Sequence, residues 1–360
     1  MLLRKLVVLF VLGVAALLSA ATKTAAAPTP ISVYGAWHCG NDACTWASPR
    51  DMMDFDLKNR WLINRGDGRP SVNLVVLSFV QPLKLLNKTT DAQTLNGVPR
   101  GMDANVVNYF KSRGVRVQLS IGGITYVDAW NQALAQNATQ LGLNAADVAR
   151  NLGVGIEIDY EENTNPNLAG LQAFINAYRS QLPYDSTGNS HAARLTIDLA
   201  AGDRWLIALT RKATADWLNT TTPVLDYANA MVPSKQPTNA STAQADWQEH
   251  IDGKAQYNPP IPPLAAAKFT GSLYIVTGQN PAPECVNFNN SLQKSTGNYV
   301  QTVVTKTGVT NGMLGYMFWA AECPSTRRIC TVPPNSCEGG VGGGATTYNV
   351  PIPMPGLRQN

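Results

Sequence analysis

Eight short runs rich in β-branched and aromatic residues recur along the chain: Ile31–Trp37, Ser71–Val80, Arg116–Gly123, Gly153–Glu161, Arg194–Gly202, Leu225–Pro233, Phe269–Gly278 and Met313–Glu322. Several are almost continuously apolar, as strands buried on both faces must be. Between them lie helical patterns. Val106, Val107 and Phe110 mark a helix over Met102–Arg113 that stops at Gly114, and a long helical region spans Asp128–Leu152. From about Pro166, the residues Leu168, Leu171, Phe174, Ile175 and Tyr178 share one helix face. Further helical segments run through Trp217, around Ala243–Ile251 and on to Thr307, whereas Asp51–Arg69 shows no clean periodicity. Such alternation predicts a parallel sheet covered by helices.

A doubly wound open sheet competes with a closed barrel. Polar groups are expected at the ends of many strands: His38, Ser120 with Gly122 and Gly123, Glu161, Asp203, Ser234, Gln279 and Glu322. An open sheet gathers its ligands at one switch point, and a barrel collects them from many strand ends. The expectation is therefore an α/β fold, an eight-stranded (β/α)8 TIM barrel spanning residues 28–331.

One strand is chemically unlike the others. In Gly153–Glu161 the carboxylates Glu157, Asp159 and Glu161 alternate with Ile156, Ile158 and Tyr160, so one face is acidic and the other apolar. An acidic edge strand facing solvent would read this way too, but the apolar flanks argue for burial. Three carboxylates projecting together repel, and at least one is expected to keep its proton near neutral pH.

Composition places the chain in a compartment. Residues 1–27 read as a signal peptide: Arg4 and Lys5, an apolar run from Leu6 to Ala21, then small residues up to Ala27. The run falls short of the roughly 20 apolar residues a membrane span needs, so a secreted, extracellular protein with no membrane association after cleavage is expected. The whole chain carries +4, but Arg4, Lys5 and Lys23 leave with the signal, so the remainder stands at +1 and no nucleic-acid partner is expected. Six cysteines in an exported chain favour disulfides. Cys39 with Cys44, Cys330 with Cys337, and Cys285 with Cys323 are the pairings sequence separation suggests, among fifteen possible connectivities. Asn87, Asn137, Asn219, Asn239 and Asn289 head glycosylation sequons. His38, His191 and His250 are isolated and expected to face solvent or cap; no metal site and no cofactor is called for. Residues 332–360, rich in glycine and proline, read as a tail that is an extended strap or a flexible end.

Two motifs fall on consecutive strands: Ser120-Ile-Gly-Gly123 ending the third, and Gly155-Ile-Glu-Ile-Asp-Tyr-Glu161 ending the fourth. Together they resemble glycoside hydrolase family 18, the chitinases and endo-β-N-acetylglucosaminidases. There the third strand ends in Ser-x-Gly-Gly and the fourth carries Asp-x-x-Asp-x-Asp-x-Glu. The resemblance covers roughly residues 31–322, and Tyr316-Met-Phe-Trp319 adds the tryptophan that the family uses as the floor of a sugar subsite. It implies a chitinase-like glycosidase acting on β-1,4-linked N-acetylglucosamine, in chitin or in the chitobiose core of N-glycans, with endo-β-N-acetylglucosaminidase as second choice. Catalysis would be retaining, with the substrate's own acetamido group as nucleophile. Glu161 would be the general acid, Asp159 would orient the acetamido group and Glu157 would share a proton with Asp159. Trp319, Trp37 and Tyr126 would contact sugar, in a site also lined by Ser120, Gly122, Gly123 and Met231. Three positions depart from the family pattern. Val154 stands where the first motif aspartate is usual, Glu157 stands for the second, and Met231-Val-Pro-Ser234 replaces Met-x-Tyr-Asp. These departures keep a second expectation open, a weakened or inactive barrel that binds carbohydrate as a lectin or inhibitor. Asp198, inside the fifth strand, is not assigned a role.

Overall fold

Strands whose side chains alternate between two buried environments need covering on both sides, and a closed barrel inside a ring of helices provides both. The computed structural model of the protein describes residues 31–42, 44–202, 204–231, 240–274 and 313–319, with single positions 321, 341, 345, 350, 351, 354 and 356. Eight parallel strands close in chain order: β1 Val33–His38, β2 Leu74–Val80, β3 Arg116–Gly122, β4 Gly155–Asp159, β5 Leu195–Leu199, β6 Ala228–Ala230, β7 Phe269–Tyr274 and β8 Gly315–Trp319. Tyr34 pairs with Tyr316, and Gly35 with Leu74, so β1 closes the ring between β8 and β2. The predicted TIM barrel is the fold.

Outward-facing residues such as Tyr34, Val75, Leu119, Ile121, Ile156, Ile158, Ile197 and Leu199 are fully or almost fully buried under the helices. The principal helices are α1 Met52–Ile63, α2 Pro82–Leu86, α3 Ala104–Lys111, α4 Val127–Leu152, α5 Leu168–Gln181, α6 Ile207–Lys212 and α7 Ala240–Asp252. Inward-facing positions form a separate apolar cluster of Val33, Trp37, Leu74, Val76, Tyr227 and Met317. Above this cluster the lumen turns polar, and the strand ends that carry the acidic motif point the same way.

Helix α1 corrects the reading of Asp51–Arg69 as unpatterned. Asp51 caps it by accepting from the Met53 and Asp54 amides at 2.9 and 3.0 Å. Lys58 pairs with Asp54, and Arg60 with Asp56, one turn apart. Its apolar stripe is blurred because Met53 and Leu57 are exposed while Asn59 is buried. The small hairpin of Thr94–Leu95 with Val98–Pro99, inserted between α2 and α3, was also not foreseen.

The histidines are a second correction. His38 and His250 are buried, not solvent-facing, and His191 is half-buried. His38 lies on the outward face of β1 beneath α1, where its Nδ1 accepts from the Gly40 amide and its Nε2 meets Asn59 Oδ1, both at 2.8 Å. His250 packs against Phe269 with its Nε2 2.8 Å from the Ala200 carbonyl.

Cys39 and Cys44 form a disulfide that staples the loop after β1. Cys285, Cys323, Cys330 and Cys337, like residues 1–27, Asp203, Ser234, Gln279 and Glu322, lie outside the described residues. Among the described residues no helix is long and apolar enough to cross a membrane. At the opposite end of the barrel from the acidic motif, Tyr34 Oη donates to the Val341 carbonyl, Arg69 to Val350 and Asn73 to Pro351. Met354 is buried in the same cluster as Val33 and Leu74.

Candidate active site

Parallel pairing sets Ser120 beside Glu157 and Gly122 beside Asp159, so the two motifs meet side by side at the barrel mouth. Glu157 is fully buried and holds two good donors. Trp37 Nε1 reaches one carboxylate oxygen at 2.8 Å, and Asn229 Nδ2 reaches the other at 2.7 Å. Thr270 Oγ1 donates to Asn229 Oδ1 at 2.7 Å, which fixes the amide with its NH2 toward Glu157. Burial pushes the Glu157 carboxyl up, and these hydrogen bonds oppose the push by favouring its charged form. The Ser120 hydroxyl lies beside the same carboxylate but without the geometry of a formed hydrogen bond.

Two neighbours of Glu157 are pushed toward their protonated forms. Asp159, 4% exposed, is raised well above the usual carboxylate range by burial and then by the charges of Glu161 and Glu157. Asp198, 2% exposed, is raised in the same way by burial and by Glu157 and Asp159. Glu161 completes the row. Burial lifts its carboxyl to about 7, against the opposing effects of Asp159 and of a hydrogen bond from the Ile124 amide. The result is a line of four carboxyl groups, Asp198, Glu157, Asp159 and Glu161. The outermost titrates near neutrality, as a general acid working at neutral pH requires.

The glycines place that outer acid. Gly122 has φ +123°, and a Cβ there would fall 1.8 Å from the Asp159 carbonyl oxygen. The Gly123 amide donates to that same oxygen at 3.0 Å, as does Trp130 Nε1. Close approach of β3 to β4 therefore turns the chain into the short helical turn Ile124–Tyr126, which delivers the Ile124 amide to Glu161. Gly122→Ala is expected to destabilise the protein by about 3 kcal/mol, since the side chain meets both a forbidden φ and a backbone oxygen. Urea unfolding of the variant measures this; a change below about 0.5 kcal/mol would remove the close approach from the account.

Aromatic rings border the row. Trp319, at the end of β8 and half-buried, stacks on Phe79 with ring centroids 5.8 Å apart and tilts against Trp37 at 6.3 Å. Trp37 thus touches both the aromatic border and Glu157. Tyr126 is half-buried in the turn after β3, where burial pushes its hydroxyl up against a smaller opposing effect of Lys84. Met231 follows β6, its amide donating to the Leu199 carbonyl at 2.7 Å and its side chain packing, partly buried, against the apolar cluster beneath the helices. Val154 is buried in the core below the site. Pro233 and Ser234 lie outside the described residues.

Asp198, Asn229, Thr270 and Phe79 were not anticipated. The signal existed for two of them. Asp198 alternates with Ile197 and Leu199, and Asn229 with Ala228 and Ala230, the same pattern that exposed the acidic strand. Among the described residues no cluster of histidine, cysteine and acidic side chains is arranged to hold a metal ion.

No family model matches the sequence, and no curated protein matches it. Solved structures do. A family 18 chitinase from Pseudoalteromonas aurantia aligns over 81% of this chain and 94% of its own, with a TM-score of 0.53 and 14% identity. A family 18 chitinase from Cycas revoluta, in complex with allosamidin, aligns over 88% of this chain and 99% of its own, with a TM-score of 0.52 and 12% identity. The chain therefore has a family 18 chitinase-like fold.

Proposed function

We propose that the protein is an exported glycosidase that hydrolyses β-1,4-linked N-acetylglucosamine by substrate-assisted, retaining catalysis. The observation that carries this reading is the Glu161 carboxyl, lifted to about 7 at the end of a buried acidic row whose Glu157 is held by Trp37, itself tilted against Trp319. A family 18 chitinase-like fold supports the substrate class.

In the proposed reaction Glu161 gives its proton to the glycosidic oxygen as the bond to the anomeric carbon breaks. The substrate's acetamido oxygen attacks that carbon and closes an oxazolinium ring, so the enzyme supplies no nucleophile. Asp159 sits where it can orient the acetamido group, passing its shared proton toward Glu157 so that its negative charge faces the ring cation. Glu161, now ionised, takes a proton from water, and the hydroxide equivalent opens the ring with net retention. Trp319 offers an apolar face for the sugar ring to stack on.

The pH dependence follows from the sign of the Glu161 shift. The acid works only while protonated, a condition met below about 7 and lost above it. kcat/KM is expected to fall about tenfold per pH unit on the alkaline side of that point. A rate that climbs through pH 8 would contradict the assignment of Glu161 as the acid. Incubation with chitin oligomers and, separately, with a high-mannose glycoprotein tests the substrate class. Release of shorter oligomers assigns chitin, release of the glycan assigns the chitobiose core, and no product from either overturns the reading.

A binding protein without turnover is the second reading, favoured by Val154 and by Glu157 in place of a shorter aspartate. A methylene's displacement at a reacting centre can cost on the order of a hundredfold. The hydrogen bonds from Trp37 and Asn229 bear against it, because they hold the longer Glu157 side chain in one fixed place.

A further inference from the structure

The end of the barrel away from the acidic row holds an unusual concentration of buried positive charge. Arg116 opens β3 and Arg194 immediately precedes β5, and they are 3% and 1% exposed. Both guanidinium groups donate to one acceptor, the Gly188 carbonyl, at 2.8 and 2.7 Å. Arg179 approaches from α5. Asp226 is the carboxylate these groups share, 3.1 Å from Arg179 and 3.3 Å from Arg194, and one of its oxygens also accepts from the Leu195 amide. Asp185 lies nearby, but its oxygens are taken by the Thr187 amide and hydroxyl and by the Ser190 amide. Lys111 adds a further cation, donating to the Gly153 carbonyl. Two buried guanidiniums and the partly buried Arg179 thus gather around the buried Asp226, which pairs directly with Arg179 and Arg194, while Arg116 has only the more distant charges of Asp226 and Asp185.

Hydrogen bonding is as unbalanced as charge. Among the described residues, Nε and Nη1 of Arg116 and Nε of Arg194 have no hydrogen-bond partner, although both side chains are more than nine-tenths buried. Water could satisfy these N–H groups but not their charge, and a buried cation without a counter-ion is costly. A planar guanidinium presents parallel N–H donors that match two oxygens of one anion, and a pair of such forks suits a tetrahedral oxyanion. The loop from Asp185 to His191 closes the place off from solvent, and Gly356 rests on that loop where any Cβ would meet the Thr187 carbonyl oxygen.

We propose that Arg116 and Arg194 hold a small oxyanion of the phosphate or sulfate class at the base of the barrel, beneath the 185–191 loop. This site is independent of the reading of the acidic row, and it acts on the architecture rather than on the reaction.

His191 at the end of the loop is a built-in reporter. Burial and then the charges of Arg116, Lys111 and Arg194 press its imidazole down to about 4. The charges that act on it are those three cations, while Asp226 and Asp185 act on Arg116. An anion bound between the arginines offsets them and raises the proton affinity of His191, by about tenfold for a unit rise in pKa. The measurement is an NMR titration of the histidine side chains in the full chain, with sulfate against chloride at equal ionic strength. Sulfate keeps its charge across the range, and the histidine signal separates site binding from its general salting effect on stability. The expected result is an upward, saturable movement of the His191 titration in sulfate, with the His250 signal unmoved. Arg116→Gln and Arg116→Lys should both abolish it, the second because it keeps the charge but loses the fork. Phosphate retained through equilibrium dialysis at pH 7 should compete with sulfate. A His191 titration that is identical in the two salts, or that drifts without saturating, overturns the proposal from the unmodified protein alone, whether or not either variant folds.

Discussion

Replacing Glu161 with Gln is expected to lower kcat on N-acetylglucosamine oligomers by about 10²–10⁴-fold, the usual contribution of general acid catalysis. The substitution keeps the side chain's length and its hydrogen bond from the Ile124 amide, but it removes the carboxyl that burial lifts to about 7. Asp159 cannot substitute for it. It is 4% exposed and lies one pleat deeper in β4 than the outermost position, which Glu161 holds. Binding should survive, because stacking on Trp319 does not depend on the acid, and titration calorimetry with a chitin oligomer would show it. Equal binding by wild type and E161Q, with no product from either over long incubation, would establish the binding reading and refute the enzyme.

The largest effect on stability is expected at the other end of the barrel. Asp226→Ala should destabilise the protein by about 3–5 kcal/mol, because it leaves the buried Arg194 and the partly buried Arg179 without their carboxylate. It also strands the Leu195 amide, which Asp226 accepts at 2.7 Å where β5 begins. Both losses act on the join between β5 and β6. Chemical denaturation measures the change, and a shift below about 1 kcal/mol would mean that the ion pairs are replaced by water at little cost. Catalytic turnover per folded molecule should not follow the loss, since Asp226 lies at the opposite end of the strands from Glu161.

The barrel was legible because all eight strands advertise themselves. Runs such as Ser71–Val80 are apolar on both faces, and the long helices α4 and α5 keep a steady periodicity. Helix α1 was hidden by its own exceptions, an exposed Met53 and Leu57 and a buried Asn59. The acidic row was legible because a period of two needs no tertiary information. Its partners were not, since Asp198, Asn229 and Thr270 come from three other strands. Which face of each strand points into the lumen is decided only by closure of the ring. The histidines failed for a related reason: His38 ends β1 on its outward face, where α1 rather than solvent covers it. Gly122 and Gly123 stand between the two cases. Their motif was readable, whereas their work, bringing β3 onto the Asp159 carbonyl so that Ile124 reaches Glu161, appears only with the strands in register.

The most direct test of the central claim is the product of the first turnover, followed by proton NMR with chitin tetramer and cellulose tetramer as parallel substrates. A substrate-assisted retaining enzyme releases the β-anomer first from the N-acetylglucosamine oligomer and leaves cellulose, which has no acetamido group, essentially untouched. Initial release of the α-anomer, or cleavage of the cellulose oligomer at a comparable rate, would contradict it.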